Sequence, residues 1–173
     1  MKTHFIIILS ITLLFQSVFS QTTKYNEYNS SKYGYFIEYP PNFNQMNATG
    51  KNVDFKVVDK NGYSIVIVVK PGQKEIIQAT IDMSNSDWEK RFQMPDAKIV
   101  KKIPIWLDGQ KGVAIHVKAK NGFESDAKTM YYTNYMFVYK ENLYVLTATC
   151  DINDLFSMQA TFFRTLESFT FPK

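Results

Sequence analysis

The sequence predicts an α+β protein, a single-domain α/β/α sandwich in which helices cover both faces of a mostly antiparallel sheet of about six or seven strands. Two observations lead to this fold class. Several strand-like runs are apolar on both of their faces, which is typical of strands that are covered on both sides. Two stretches with helical spacing interrupt and follow the strands, and they provide the covering layers.

Composition excludes several classes of protein. The chain has 173 residues, of which 45% are hydrophobic and 21% charged, so it is too apolar for a disordered protein. One Cys and two His are too few for a disulfide framework or a thiolate zinc site. The lysines are dispersed and arginines do not cluster, so nucleic acid is not an expected partner. We expect no metal and no cofactor.

The N-terminus has the three parts of a secretory signal peptide. A short basic start precedes an almost unbroken apolar run at 5–15, and a cleavage site follows between Ser20 and Gln21. The run is shorter than the roughly 20 apolar residues that a spanning helix needs; an uncleaved anchor is the alternative. We predict that residues 1–20 are a signal peptide, that the protein is secreted or periplasmic, and that no transmembrane segment remains after its removal.

Signal removal leaves 173 − 20 = 153 residues and a net charge of 19 − 16 = +3. Residues 21–32 are polar and aperiodic, and they are predicted to be a flexible N-terminal segment. The domain is predicted to span 33–173. Its lone Cys150 is expected to be either buried or reactive.

Three strands are predicted in the first half of the domain, at 33–39, 53–58 and 63–69. Pro40 ends the first because proline donates no hydrogen bond to a ladder. The Asn-Gly pair at 61–62 supplies the positive φ of a tight hairpin between the other two.

Helical spacing begins near residue 75. The isoleucines of segment 76–81 fit one face of a helix, with a strand as the alternative. Ser86 and Glu89 fit the capping box of a second helix. Pro95 ends that helix.

Four strands and a helix are predicted in the second half. The strands are 99–107, 111–119, 129–139 and 143–150. Asp151 is the expected N-cap of a helix with a broad apolar stripe, and the chain beyond it forms a short strand or a packed tail.

Tyr131, Tyr135 and Tyr139 share one face of the strand at 129–139. Tyrosine combines flat apolar contact with a hydroxyl, so this row is the candidate surface for a ligand or a partner. Core packing is the alternative interpretation.

Catalytic chemistry has few candidate residues. His116 and Cys150 are the obvious base and nucleophile, with a surface His and a core Cys as the alternative. Asp151 and Asp154 could hold a cation, although helix capping explains them better. Phosphate-binding and hydrolase motifs are absent from the sequence. We therefore assign no catalytic, cofactor-binding or metal-binding residue.

Two segments resemble the PsbP-like group of exported proteins, whose general fold is shared by the DcrB-type lipoproteins and a nuclear Ran-binding factor. The segment at 35–40 (YFIEYP) resembles that group's early aromatic strand, and the segments at 143–148 (LYVLTA) and 166–171 (LESFTF) resemble its closing strand and tail. The resemblance spans most of 33–171. It implies an exported accessory or interaction protein without a shared catalytic motif.

Three functional hypotheses follow from the sequence. The first is an exported, non-enzymatic interaction protein whose partner is an envelope or secreted protein. The second is a small-ligand-binding protein with an aromatic-lined cleft. The third is a hydrolase-type enzyme that uses His116 or Cys150.

Overall fold

The computed structural model describes residues 24–172, which form a two-stranded ribbon and a seven-stranded antiparallel sheet. The strands are β1 (Asn26–Asn29), β2 (Phe36–Tyr39), β3 (Asn44–Gln45), β4 (Val53–Val58), β5 (Ser64–Pro71), β6 (Lys98–Leu107), β7 (Gln110–Lys120), β8 (Thr129–Tyr139) and β9 (Asn142–Asp151). The helices are α1 (Glu75–Asp82), α2 (Asn85–Arg91) and α3 (Leu155–Ser168), the last preceded by a 3-10 turn at Ile152–Asp154. The predicted signal peptide and its Ser20–Gln21 cleavage site lie outside the described residues.

The large sheet has the order β3-β4-β5-β9-β8-β7-β6, and every neighbouring pair in it is antiparallel. Most of these pairs are close in sequence, because hairpins join β4 to β5, β6 to β7 and β8 to β9. The central pairing of β5 with β9 brings the two halves of the chain together. β6 is the long strand at one edge of the sheet.

Two apolar cores lie on opposite faces of this sheet. On one face α1 and α2 pack over residues such as Val113, Ile115 and Val117, which alternate along β7. On the other face α3, the β1–β2 ribbon and the C-terminal tail cover Ile65, Leu146 and their neighbours. Both faces are therefore covered by helices, which confirms the predicted α+β sandwich.

The N-terminal segment corrects one prediction. Residues 21–32 were expected to be flexible, but Asn26–Asn29 forms β1 and pairs with β2. Tyr28 lies 4.5 Å from Phe55, ring centroid to ring centroid, so the strand also contributes to the core. The ordered domain therefore begins before residue 33.

Asp54 fixes this segment to the sheet. Its carboxylate accepts hydrogen bonds from the hydroxyls of Ser30, at 2.7 Å, and Tyr35, at 2.8 Å. Burial and the bond to Asp54 raise the pKa of Tyr35 well above its ordinary value. The hydroxyls satisfy a carboxylate at the edge of the core that would otherwise be costly to desolvate.

The second helix begins earlier than predicted. The cap is Ser84 and not Ser86: the Ser84 hydroxyl oxygen accepts the Asp87 N–H at 3.1 Å. Glu89 does not reach back to the cap, because its carboxylate accepts the Ile99 N–H at 3.0 Å and so joins the helix to β6. The segment after residue 75 is helical, which decides between the helix and the strand that the sequence left open.

The C-terminal tail closes the face that α3 covers. Thr170 forms a bridge with Phe36, and Phe169 and Phe171 are buried. Asp108, in the turn between β6 and β7, accepts the Phe171 N–H at 3.0 Å. The tail is thus packed on the body, as predicted.

Candidate basic aromatic patch

The sheet face beneath α3 is not uniformly covered. The helix packs on β2 and β9, while β7 and β6 lie two and three strands beyond β9 at the edge of the sheet. On that outer part, cross-strand pairing sets Lys101 opposite His116 and Lys118 opposite Tyr131. Partners directly opposite in an antiparallel pair point to the same face.

We call five neighbouring side chains on this outer part the basic aromatic patch. They are Lys101, His116, Lys118, Tyr131 and Tyr135. The two lysines are exposed, and the three rings are partly exposed. The patch therefore combines two long cationic side chains with an aromatic floor.

His116 is the centre of the aromatic floor. Its ring centroid lies 5.9 Å from that of Tyr131 and 6.5 Å from that of Tyr135. Its Nδ1 is 3.3 Å from the hydroxyl oxygen of Thr133 on the neighbouring strand. Burial, and secondly the nearby charge of Lys101, lower the pKa of His116 below its ordinary value, so the imidazole is neutral at neutral pH.

Both tyrosines of the patch keep their protons. Burial raises the pKa of Tyr135 to about 12, and burial followed by the influence of Cys150 raises the pKa of Tyr131. The hydroxyls are accordingly neutral groups that can donate or accept hydrogen bonds. The patch carries positive charge only on its lysines.

Tyr139, the third residue of the predicted surface, lies apart from the patch. Its hydroxyl donates to the carbonyl oxygen of Pro172 at 2.7 Å, and its ring stacks on Phe171 with centroids 4.9 Å apart. These contacts hold the C-terminal tail on the sheet. The structure thus brings Tyr131 and Tyr135 together around His116 and gives Tyr139 a structural position.

Cys150 is a core residue in this structure. The side chain is 0% exposed, and burial, with Asp154 and Asp151 nearby, raises the pKa of its thiol to about 11. His116 contacts Thr133 and pairs with it across the strands, whereas Cys150 pairs with Tyr131. A thiolate is the reactive form of Cys, so this environment disfavours its reaction.

The two aspartates considered for a cation have structural partners. Asp151 accepts the Asn153 N–H at 2.9 Å and caps the 3-10 turn, and Asp154 accepts the hydroxyl of Tyr63. Across residues 24–172 no group of three or more His, Cys, Asp or Glu is placed to hold a metal ion.

The space between Tyr135 and α3 is small. A cavity of about 10 Å³ lies there, lined by Tyr135, Leu146, Phe162 and their neighbours. This volume accommodates one water molecule, whereas small-ligand pockets have volumes of roughly 300–1,000 Å³. The aromatic row therefore borders an open surface and does not line an enclosed ligand pocket.

The comparisons with known proteins concern the fold. No protein-family model and no curated protein matches the sequence. Among solved structures, the cyanobacterial PsbP (CyanoP) from Synechocystis sp. PCC 6803 is similar to this chain, with a TM-score of 0.65 and 14% identity over 90% of this chain and 95% of that one. The fold is PsbP-like.

Two other proteins share the PsbP-like fold. LpqN, described as involved in cell envelope biogenesis of Mycobacterium tuberculosis, has a TM-score of 0.58 and 9% identity over 87% of this chain and 91% of its own. A point mutant of the protein Mog1 has a TM-score of 0.55 and 11% identity over 86% of this chain and 96% of its own. At these identities the likeness establishes the fold alone. Within residues 24–172, no helix has both the length and the hydropathy that crossing a membrane requires.

Sequence reasoning missed the lysines of the patch. The alternation of β7 does place His116 and Lys118 on one face, but Lys101 joins them only through the pairing of β6 with β7. A bulge between Ile99 and Lys101 shifts that pairing by one residue. A bulge changes which face a side chain occupies and leaves no clear sign in the sequence.

Proposed function

We propose that this is an exported, non-enzymatic binding protein that holds an acidic segment of another envelope or secreted protein on the basic aromatic patch. The observation that carries the proposal is the arrangement of Lys101 and Lys118 beside the partly exposed rings of His116, Tyr131 and Tyr135. Acidic side chains of the partner would meet the lysines, and an apolar side chain would lie on the rings.

Charge supports this partner chemistry. Within residues 24–172, Lys98, Lys120 and Arg164 have carboxylate partners, but Lys101 and Lys118 have none. A partner carboxylate would therefore not displace an existing ion pair. Complementary charge of this kind mainly sets specificity and association rate, while tyrosine supplies contact area at low cost in conformational entropy.

The proposal of export rests on the signal-peptide pattern at 1–20. The similarity in fold to LpqN, described as involved in cell envelope biogenesis, supports an envelope role. The non-enzymatic part is supported by the burial of Cys150 and by the absence, within residues 24–172, of a carboxylate ion-paired to His116.

The proposal is tested with two matched double variants. Lys101→Glu/Lys118→Glu reverses the charge of the patch, and Lys51→Glu/Lys60→Glu makes the same change in net charge at exposed lysines near β4 and β5. Each is used as bait for envelope proteins of the source cell, beside the unmodified protein. We expect the patch variant to lose a partner that the control variant retains, and the retained binding to weaken as salt is raised.

Equal recovery of the same proteins by both variants would contradict the proposed surface. Binding of the unmodified protein to anionic lipid vesicles, with no protein partner lost from the patch variant, would also contradict it. Both double variants are first checked for cooperative unfolding, so that a folding defect is not mistaken for a loss of binding.

A further inference from the structure

A concave surface lies away from the patch, between the β1–β2 ribbon and α3. Its volume is about 270 Å³, and it is lined by Tyr25, Pro40, Pro41, Phe43, Met158 and Arg164 among others. This volume is close to the lower limit for pockets that bind small molecules, roughly 300 Å³. We call it the Arg164 cleft.

Arg164 is positioned by an aromatic ring. Its Cζ lies 3.7 Å from the ring centroid of Tyr25, which holds the guanidinium over the ring face. Donors of a guanidinium lie in its plane and point outward, so stacking on Tyr25 orients them without using them. Tyr25 belongs to the chain just before β1 and reaches Arg164 only because that segment is ordered against the body.

The donors of Arg164 are weakly engaged by the protein. Its Nη2 lies 3.8 Å from the Glu38 carboxylate, which is beyond hydrogen-bond distance. Within residues 24–172 its side chain makes no hydrogen bond, and the side chain is 49% exposed. An oriented guanidinium with free donors is the group that recognises carboxylates by two parallel hydrogen bonds.

The rest of the cleft has a mixed lining, in which the polar side chains of Asn42 and Thr161 lie among apolar residues. Pro40 and Pro41 form one wall, and Met158 of α3 lines the other side. Phe43 is 2% exposed and fixed in the core, so it provides a rigid base. An occupant thus meets the cation of Arg164 and several apolar side chains, with polar groups among them.

We propose that the Arg164 cleft binds a small organic carboxylate with an apolar body, with the carboxylate on Arg164 and the body against the two prolines and Met158. This inference does not depend on the proposed protein partner, because Arg164 and Met158 face the β1–β2 ribbon and the patch lies on β6, β7 and β8. Glu38 is the one carboxylate that forms an ion pair with the guanidinium in the described residues, and it competes with the ligand.

The test uses 3-phenylpropionate, with its neutral amide, 3-phenylpropionamide, as the matched control ligand. The isotope-labelled exported protein is titrated with each and followed by NMR. We expect the carboxylate to shift the side-chain signals of Arg164 and the ring signals of Tyr25, and the amide to shift them much less. Arg164→Lys should weaken binding of the carboxylate by about fivefold or more, since lysine keeps the charge and loses the fork.

Glu38→Gln is the second variant, and its expected effect has the opposite sign. Removal of the competing carboxylate should tighten binding of 3-phenylpropionate by about threefold, an electrostatic effect of modest size at an exposed site. A purely structural role for Arg164 predicts no such gain.

Three results would overturn the inference: no shift at millimolar 3-phenylpropionate, equal binding of the amide, or unchanged affinity in both variants. None of these results bears on the basic aromatic patch, because the patch and the cleft share no residue. The Lys101→Glu/Lys118→Glu variant keeps the cleft unaltered, so it should bind 3-phenylpropionate as the unmodified protein does.

Discussion

His116 is a half-buried titratable side chain whose surroundings oppose its charge. It lies between Tyr131 and Tyr135 and beside Lys101, and both burial and the lysine lower its pKa. The proton therefore binds more tightly to the unfolded chain, where a His has a pKa of about 6.5, than to the folded protein.

This difference predicts a dependence of stability on pH. Between the folded and unfolded pKa values the unfolded state holds more protons, so the free energy of unfolding falls as pH falls. The contribution of His116 is complete above about pH 6.5 and is lost as pH drops through the lowered folded pKa. Urea unfolding of the protein without the predicted signal peptide, at steps from about pH 8 to about pH 5, should show this loss.

His116→Asn is the control, because it removes the titrating group and keeps a polar side chain near Thr133. His4 is the other His and belongs to the predicted signal peptide. The free energy of unfolding of this variant should change less with pH in this range. An identical slope in both proteins would mean that other groups cause it; Asp87 and Glu89, with lowered pKa values, act at still lower pH.

Single residues differ in how far the sequence predicted their positions. The sequence left two alternatives for Cys150, a buried side chain or a reactive one. It alternates with Tyr144, Leu146 and Ala148, and the structure places all four in the core. Tyr139 shares a strand face with Tyr131, but its role depends on Pro172, which is 33 residues away. Contacts of that range are set by tertiary packing and not by local pattern.

At the scale of elements, the start of α2 depends on Ser84. Its hydroxyl accepts the Asp87 N–H at 3.1 Å and donates to the Asp87 carboxylate at 2.7 Å. The sequence pattern pointed instead to Ser86, which is two residues along and lies inside the helix. Two serines so close together make the register of the cap ambiguous from sequence, and Glu89, the residue that would complete a capping box with Ser86, bonds to β6 instead.

Ser84→Ala and Ser86→Ala form a matched pair that tests this assignment. Loss of the Ser84 cap should lower the free energy of unfolding by about 1 kcal/mol. Ser86→Ala should change it by less than about 0.5 kcal/mol, because alanine favours an exposed helical position. Chemical denaturation of both variants measures the difference, and a larger loss from Ser86→Ala would contradict the observed cap.

Strand β1 was missed because its stability is not local. The segment is polar and has no alternation that predicts a strand. It is held by pairing with β2, by Tyr28 on Phe55 and by the bond from Ser30 to Asp54. In contrast, β4 and β8 lie where the sequence predicts them, since their apolar patterns are long and their ends are marked by turn residues.

For the whole molecule, the sequence predicts the layers but not where they leave surface uncovered. Strands that are apolar on both faces require two covering layers, and these are present. The helix α3 packs on β2 and β9, and the strand order leaves β7 and β6 beyond it at the edge of the sheet. Both the basic aromatic patch and the Arg164 cleft result from that placement.

The central claim is that the basic aromatic patch contacts an acidic protein partner in the native envelope. The most direct test replaces Lys118 with the photoreactive residue p-benzoylphenylalanine. A separate control protein carries the same replacement at Lys60, which is exposed in the β4–β5 turn. After irradiation of intact cells, we predict a discrete cross-linked protein from position 118 that disappears when Lys101→Glu is added. A cross-link from position 60 and none from position 118 would contradict the claim.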